Sequence, residues 1–378
     1  MKVLSAKPSE YEEIQRFLEE AYGHSFNFFN ERWLKVWKKD YTDFENILLI
    51  KEKQQIISLV RIFPLMFIQK GVRIKTAGIG NVSTLYSHRG KGYMSCLMEE
   101  SFCRMRKEKY PVSVLWGDRH RYGHFGYENC GSNIVLRINV RGINKMGIKQ
   151  VDAKRYFGQS EVLEKIIDIY NTNSYRKQRT KKDFTALYAA RYVATYYAEK
   201  GKEFAYLSIG SHDSGAQGTV KEYGGNSELL LGILKYLNER FGQDSFVLVS
   251  PDMREIPDIL LAASSEWQIS SNSCMLKIIN LKETLRLFSQ HPDFHFPEGE
   301  EITLTIKDGE SATIVKQQGI LSIREGKGRN EIVLDETGMV RLLFGTYFWA
   351  PADVDSTTLQ MLKMFLPFKF FVWPMDTV

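Results

Sequence analysis

The feature that most constrains this chain is a turn that joins a strand to a long amphipathic helix. The strand is predicted over Val72–Thr84 and the helix over Tyr93–Glu108, with Arg89-Gly90-Lys91-Gly92 in the turn between them. Glycines allow a backbone to approach a ligand closely, and the free N–H groups at a helix start favour an anion. A further strand is predicted over Val112–Trp116. This order predicts a mixed α/β sheet, and at the turn a site suited to a diphosphate.

Composition narrows the class of protein. The 378 residues are 43% hydrophobic and 25% charged, which is ordinary for a globular chain of two or three domains. The net charge of +6 is spread over short basic runs, so no nucleic-acid partner is expected. Four cysteines fall in no metal-ligand spacing, and no apolar run approaches the roughly 18 residues of a membrane span. The start of the chain does not read as a signal peptide. We therefore expect a cytoplasmic protein with no metal and no membrane partner.

The same order of elements returns in the middle of the chain. A strand over Phe204–Ile209, a helix over Glu228–Phe241 and a strand over Ser245–Ser250 are predicted, and the turn before the helix carries no basic residue. This pattern indicates a degenerate second copy of the first fold. Upstream of it, Lys182–Glu199 is predicted as one helix. From Cys274 onward the character changes to short alternating strands, with a hairpin signal at Asp308-Gly309.

Beyond the turn, Tyr122-Gly123-His124-Phe125-Gly126-Tyr127 completes a constellation that closely resembles the GNAT acetyltransferase superfamily. In its Q/R-x-x-G-x-G/A motif, Arg89 takes the first place and Gly92 the first glycine place. Met94 stands where the superfamily usually has Gly or Ala. The layout of the whole chain resembles the Eis-like branch of these proteins. That resemblance implies an α+β fold of mixed sheets: a GNAT domain over 1–145, a degenerate GNAT-like domain over 146–273, and a sterol-carrier-protein-like domain over 274–378 whose tail packs toward the active site.

The resemblance also implies the reaction and its site. It implies an N-acetyltransferase with acetyl-CoA as co-substrate, no metal, and direct transfer to an amine. Tyr122 is implied as the general acid that protonates the departing sulfur, since a phenol with a pKa of about 10 can share a proton with a thiol. A backbone N–H near Val82 is implied to polarise the thioester carbonyl. The residues implied to bind acetyl-CoA are Val82, Ser83, Thr84, Arg89, Gly90, Lys91, Gly92, Tyr93 and Met94.

The general base is left open. Eis-like enzymes are thought to use their C-terminal carboxylate, and the apolar tail ending at Val378 fits that role, with Phe370, Phe371 and Trp373 as its anchor. The rivals are Asp118, Glu128 and water.

The acceptor and two other functions are also left open. A small-molecule or peptide amine is expected, and a polyamine or aminoglycoside-like cation is one candidate because some Eis-like pockets are acidic. The early carboxylates that could line such a pocket are Glu19, Glu20, Asp40, Asp43 and Glu45. If Met94 blocks the diphosphate, the chain would instead be a catalytically weak acetyl-CoA-binding regulator. A lipid- or ligand-binding protein acting through the C-terminal domain is the other alternative. The oligomeric state is open, although relatives often assemble.

Overall fold

The computed structural model describes residues 1–190, 192–210 and 218–377. Its helices are α1 (Tyr11–Tyr22), α2 (Phe28–Arg32), α3 (Leu34–Trp37), α4 (Tyr93–Lys107), α5 (Arg119–Gly123), α6 (Val140–Lys145), α7 (Ser160–Thr172), α8 (Lys181–Tyr188), α9 (Ser227–Phe241), α10 (Asp258–Ala263), α11 (Leu281–Phe288), α12 (Glu336–Phe344) and α13 (Ser356–Lys363). Its strands are β1 (Leu4–Ser5), β2 (Ile47–Glu52), β3 (Gln55–Gln69), β4 (Val72–Thr84), β5 (Val112–Leu115), β6 (Glu128–Asn139), β7 (Lys154–Arg155), β8 (Tyr175–Lys177), β9 (Val193–Lys200), β10 (Glu203–Gly210), β11 (Val220–Gly225), β12 (Ser245–Ser250), β13 (Ser264–Ile278), β14 (Glu301–Ile306), β15 (Ser311–Gln317), β16 (Ile320–Glu325) and β17 (Glu331–Leu334).

These strands form three sheets in the described part of the chain. The largest has nine strands in the order β1-β2-β3-β4-β5-β13-β6-β12, with β8 beside β3. The other two are β11-β10-β9-β7 and β16-β15-β14-β17. Since β4 and β5 are parallel and their neighbours antiparallel, the predicted mixed α/β fold class is confirmed. Strand β13 pairs with both β5 and β6, so it crosses the predicted domain limit at residue 273 and joins distant parts of the chain in one sheet.

Helix α4 packs one face against the largest sheet. Its buried positions follow a helical period, and they are Tyr93, Leu97, Met98, Ser101, Phe102 and Met105. This spacing is what predicted the helix, because residues three and four apart share a face. Burial of that face holds the N-terminus of α4 at the end of the preceding turn.

Strand β4 changes its surroundings halfway along. Its parallel pairing with β5 covers only Thr76–Gly78, whereas its pairing with β3 continues to Thr84. At the change, Asn81 and Val82 together stand opposite Val60, and Asn81 has a positive φ of 53°. This is a β-bulge, which twists and re-aims the strand. Beyond Gly78, therefore, one edge of β4 has no strand partner among the described residues and faces a gap.

In the middle of the chain, the predicted strand, helix and strand of the repeat correspond to β10, α9 and β12, with β11 between β10 and α9. The prediction of one helix over Lys182–Glu199 is wrong, because α8 ends at Tyr188 and β9 begins at Val193. Strand β9 pairs with β10 along its whole length. The β-branched and aromatic residues of β9 suit this pairing better than a helix.

The C-terminal tail leaves α13 and returns to the first two thirds of the chain. The Phe370 ring packs edge-on against Phe67 at 5.5 Å between centroids. The Gln69 side chain donates to the Phe371 carbonyl and accepts from its N–H, both at 3.0 Å. The Trp373 indole donates to the Tyr175 carbonyl at 2.9 Å. The tail is thus fixed by both apolar packing and hydrogen bonds. Within the described ranges, no helix has both the length and the apolar character needed to cross a bilayer.

Candidate active site

A cavity of about 430 Å³ opens where β4 separates from β5. Helices α1 to α3 close one side, the bulge of β4 forms the floor, and the segment leading into α5 closes the other side. The lining residues are Tyr22, His24, Phe29, Trp33, Val36, Trp37, Phe63, Ile79, Gly80, Asn81, Val82, Trp116, Tyr122 and Thr377. The cavity therefore combines residues from the first 122 positions with one from the C-terminal tail.

Tyr122 is held in the wall by its own loop. Asp118 caps α5 by accepting a hydrogen bond from the Arg121 N–H at 3.0 Å. A Cβ on Gly117 would lie 2.4 Å from Cε2 of the Tyr122 ring, so only glycine leaves room for the ring as it stands. Burial raises the pKa of Tyr122 above its ordinary value, and the nearby Arg121 offsets this only in part. The phenol is consequently protonated at neutral pH, as a general acid must be.

Tyr22, a wall residue that the sequence did not single out, is bonded to the bulge. Its hydroxyl donates to the Val82 carbonyl at 3.3 Å. Desolvation raises the pKa of Tyr22 to about 12, with a further contribution from Tyr122. The only sequence signal for Tyr22 is its place on the apolar face of α1, which does not distinguish a cavity wall from a core.

The predicted diphosphate turn lies at the far end of β4. Gly90 and Gly92 both have positive φ, at 77° and 80°, and Gly92 is the N-cap of α4 with no side chain to cap the helix. The first hydrogen bond of the helix runs from the Cys96 N–H to the Gly92 carbonyl at 3.0 Å, so the N–H groups before Cys96 have no acceptor within α4. Arg89 and Lys91 are exposed beside them. This arrangement suits an anion at the helix N-terminus.

Met94 lies in the first turn of α4. Its side chain is half-buried and packs against the core beneath α4. Tyr93, beside it, is buried and donates its hydroxyl to Glu52, which also lies 3.4 Å from Nε2 of His88. The two positions therefore anchor the first turn of the helix on the sheet.

Strand β4 connects the cavity to the turn. Val82 lines the cavity, and Ser83 and Thr84 continue toward Arg89. Ser58 of β3 donates to the Ser83 carbonyl at 3.0 Å and lies 2.8 Å from the Thr84 hydroxyl. The Arg89 guanidinium reaches back to the Thr84 carbonyl at 3.3 Å. All nine residues predicted to bind acetyl-CoA thus follow one path, with Tyr122 across the cavity from Val82.

Glu128, one of the candidate bases, is engaged elsewhere. It accepts from Nε and a terminal nitrogen of Arg119, each at 2.5 Å, and from Arg341 at 3.0 Å. Burial alone would raise the pKa of Glu128, but these hydrogen bonds outweigh it and hold the pKa at about 2. Asp118 is exposed and occupied as a helix cap, and the hydrogen bond from the Arg121 N–H is the largest cause that lowers its pKa. Neither carboxylate lines the cavity.

Tyr127 is separate from the chemistry. Its hydroxyl bonds to Ser113 at 2.6 Å in the fully buried core. Val378, the other predicted catalytic residue, lies outside the described residues. In the part of the chain that is described, no group of three or more His, Cys, Asp or Glu side chains is placed to hold a metal ion.

Comparisons with known proteins agree with this geometry. The acetyltransferase (GNAT) domain family matches residues 2–130. No curated protein matches the chain. A structure from Enterococcus faecalis, titled a conserved protein of unknown function and probable N-acyltransferase, is 18% identical with a TM-score of 0.75, covering 100% of this chain and 99% of that one.

Two further solved structures align with 100% of this chain and over 100% of their own length. A GCN5-related N-acetyltransferase from Anabaena variabilis is 18% identical with a TM-score of 0.72, and Eis1 from Mycobacterium abscessus is 12% identical with a TM-score of 0.70. Identities this low show a shared fold and nothing finer. Residues 2–130 thus match the GNAT acetyltransferase domain family, in a chain whose overall fold is similar to that of Eis1.

Proposed function

We propose that the chain is an N-acetyltransferase of the Eis-like branch that transfers the acetyl group of acetyl-CoA directly to an amine. The observation that carries this is the edge of β4 that has no partner strand in the described part of the chain. It runs from an aromatic cavity with a buried, protonated tyrosine to a helix N-terminus without a side-chain cap. The strand edge suits an extended arm such as pantetheine, and the turn suits its diphosphate.

In this proposal, different residues bind different parts of acetyl-CoA. The helix N-terminus at Gly92, with Arg89 and Lys91, holds the diphosphate. The edge of β4 from Val82 to Thr84 hydrogen-bonds the pantetheine arm as an added strand would. The bulge at Asn81 and Val82 turns the backbone, and an N–H there polarises the thioester carbonyl. Acetyl-CoA supplies an activated acyl group on a thiol leaving group.

The transfer needs one nucleophile and one proton donor. The amine lone pair forms the C–N bond as the C–S bond breaks, and the electron pair leaves on sulfur. Tyr122 gives its proton to that sulfur. The attacking nitrogen loses a proton to a base or to solvent, and an equivalent proton returns to the Tyr122 phenolate. Glu128 is a poor base because its pKa is held low by two guanidinium groups. We keep the α-carboxylate of Val378 as the proposed base, since Thr377, its neighbour in sequence, lines the cavity.

The alternative of a catalytically weak regulator would be favoured if Met94 blocked the diphosphate. The packing of Met94 against the core supports the enzyme over that alternative. We propose the C-terminal sheet with α11 to α13 as a sterol-carrier-protein-like scaffold, because the tail that leaves it reaches the cavity.

Two measurements test the function. Acetyl-CoA should bind in calorimetric titration, and release of free thiol should depend on an added amine. Arg89→Ala should weaken binding, whereas Arg106→Ala, at the other end of α4, is the matched control and should not. Absence of binding at millimolar acetyl-CoA would overturn the proposal.

A further inference from the structure

We propose that the acceptor is a monoamine carried on an apolar, aryl-alkyl body rather than a polycation such as a polyamine or aminoglycoside. This assignment rests on the proposed function and concerns the same cavity. Eight of its fourteen lining residues have aromatic rings, among them Phe29, Trp33 and Trp116, and none has a carboxylate side chain. Such a wall gains free energy by covering apolar surface, and its lining offers a second ammonium group no carboxylate side chain to pair with.

The acidic residues of the first segment do not supply the missing charge. The five carboxylates considered for such a pocket do not line the cavity; they are Glu19, Glu20, Asp40, Asp43 and Glu45. Glu19 is buried and accepts from the Asn27 N–H at 2.5 Å, and Asp43 accepts from the Asn46 amide at 2.7 Å. Glu19 and Asp43 therefore bond to the chain around α1 to α3, and none of the five carboxylates makes this cavity anionic.

A positive charge lies directly behind the wall. Arg61 is buried, and its guanidinium carbon lies 4.7 Å from the Trp37 ring centroid and 4.8 Å from that of Phe63. It donates to the Val36 carbonyl at 2.7 Å, and Val36, Trp37 and Phe63 all line the cavity. The rings of Trp37 and Phe63 already interact with one cation. Asp43 attracts the same guanidinium but does not line the cavity, so a polycation would meet this positive charge without a carboxylate side chain in the lining.

The same environment helps a single amine to react. An ammonium that enters an apolar cavity loses hydration, which lowers its pKa and favours the neutral, nucleophilic form. The α-carboxylate proposed for Val378 as the base would accept the proton of one amine and leave no second carboxylate for another ammonium. The volume of about 430 Å³ is in the lower part of the usual range of roughly 300–1,000 Å³ for ligand sites. A single-ring amine fits that size.

The test compares amines on the purified chain by thiol release. We expect kcat/KM for 2-phenylethylamine and tryptamine to exceed that for butylamine by about tenfold or more, the effect of burying one ring. Spermidine and kanamycin should rank below butylamine. Higher kcat/KM for spermidine or kanamycin would overturn the assignment, and so would acetyl-CoA binding without turnover of either aryl amine. Failure of acetyl-CoA binding would instead overturn the proposed function.

Variants of one wall residue test the role of the rings. Trp33→Ala should narrow the ratio of kcat/KM between 2-phenylethylamine and butylamine several-fold, and Trp33→Phe should restore most of it. Trp267→Ala, at a 53% exposed position on β13, is the control and should leave the ratio unchanged. An unchanged ratio in folded Trp33→Ala would overturn the assignment of the wall as the recognition surface.

Discussion

Arg179 binds both carboxylate oxygens of Asp376, the residue that precedes Thr377 in the tail. Its Nε lies 2.9 Å from one oxygen, and a terminal nitrogen lies 2.7 Å from the other. The same terminal nitrogen donates to Glu222 at 2.6 Å, and all three side chains are fully buried. This ion cluster ties the tail to β11 one residue before it enters the cavity wall. The tail is thus positioned by charge as well as by its aromatic side chains.

Asp376→Asn should therefore affect both stability and turnover. The change keeps the Arg179–Glu222 pair but removes the carboxylate that Arg179 binds through two charge-assisted hydrogen bonds. We therefore expect the free energy of unfolding to fall by about 3 kcal/mol. Because Thr377 would lose its anchor, kcat should fall at least several-fold under conditions where the variant is folded. Urea denaturation and thiol-release kinetics measure the two effects.

Asp293→Asn is the matched control for that variant. Asp293 is half-exposed and pairs with Lys70 and Arg254 at 2.9 and 3.1 Å. Exposed pairs contribute about 1 kcal/mol or less, so this change should be mild in both assays. Equal behaviour of the two variants would contradict the role of the buried cluster.

Tyr122→Phe should lower kcat by about 10²-fold or more with little change in acetyl-CoA affinity, because it removes the proton donor and keeps the ring. Single-turnover thiol release and calorimetry separate the two quantities. Tyr127→Phe is the control, since its hydroxyl bonds Ser113 in the core and its loss should reduce stability by about 1 kcal/mol without reducing kcat. Unchanged turnover in Tyr122→Phe would remove the phenol from the mechanism.

Gly117→Ala should affect catalysis by displacing the ring of Tyr122. The new methyl group would overlap the Tyr122 ring at 2.4 Å and force it to move. We expect kcat to fall at least tenfold with acetyl-CoA affinity preserved, and stability to fall by about 1–3 kcal/mol. Gly123→Ala, in α5 with no atom within 4 Å of its added Cβ, should be neutral. A fully active Gly117→Ala would show that ring position is not limiting.

Deleting Thr377 and Val378 tests the proposed base. Loss of the carboxylate should lower kcat by about 10²-fold while acetyl-CoA still binds. Two residues added after Val378 would move the carboxylate and should also lower kcat. Full activity of the deletion variant would leave Asp118 or water as the better candidate.

Local sequence patterns predicted the elements whose burial is local. The period of Tyr93, Leu97 and Phe102 identified α4, because that face packs on the strands beside it in sequence. By contrast, Val193–Lys200 is a strand only because β10 pairs with it, and β13 was not predicted because its partners lie more than a hundred residues away. Pairing over such distances leaves no local period to detect.

The site was predictable to a similar extent. The diphosphate turn was predicted because its residue types have a chemical reason to stand at that spacing, and Tyr122 was predicted from the resemblance to the GNAT superfamily; both roles stay predictions. The aromatic wall was missed because Tyr22, Phe29 and Trp33 carry the same apolar signal as core residues. Arg61 was missed for a related reason, since a cation within a strand normally indicates a solvated face and here it is buried behind two rings.

Glu128 gives a prediction for pH. Its pKa is lowered in the folded chain from 4.5 to about 2, so its ion pairs stabilise the fold above pH 4.5, and the contribution is lost as pH falls toward 2. The ion pairs of Glu128 contribute at most about 3 kcal/mol to the free energy of unfolding. Solvent screening reduces this contribution, because Arg119 and Arg341 are half-exposed. Glu128→Gln should therefore be destabilising at pH 7, and its unfolding free energy should approach that of the unmodified chain near pH 3.

The same variant separates structure from catalysis. Because two arginines hold Glu128 ionised, we expect Glu128→Gln to keep most of its kcat at pH 7 when folded. Denaturant titrations at pH 7, 5 and 3, with kcat at pH 7, measure both. A gap in unfolding free energy that widened as pH fell would contradict the sign of the pKa shift, and a loss of kcat as large as that of Tyr122→Phe would return Glu128 to the list of bases.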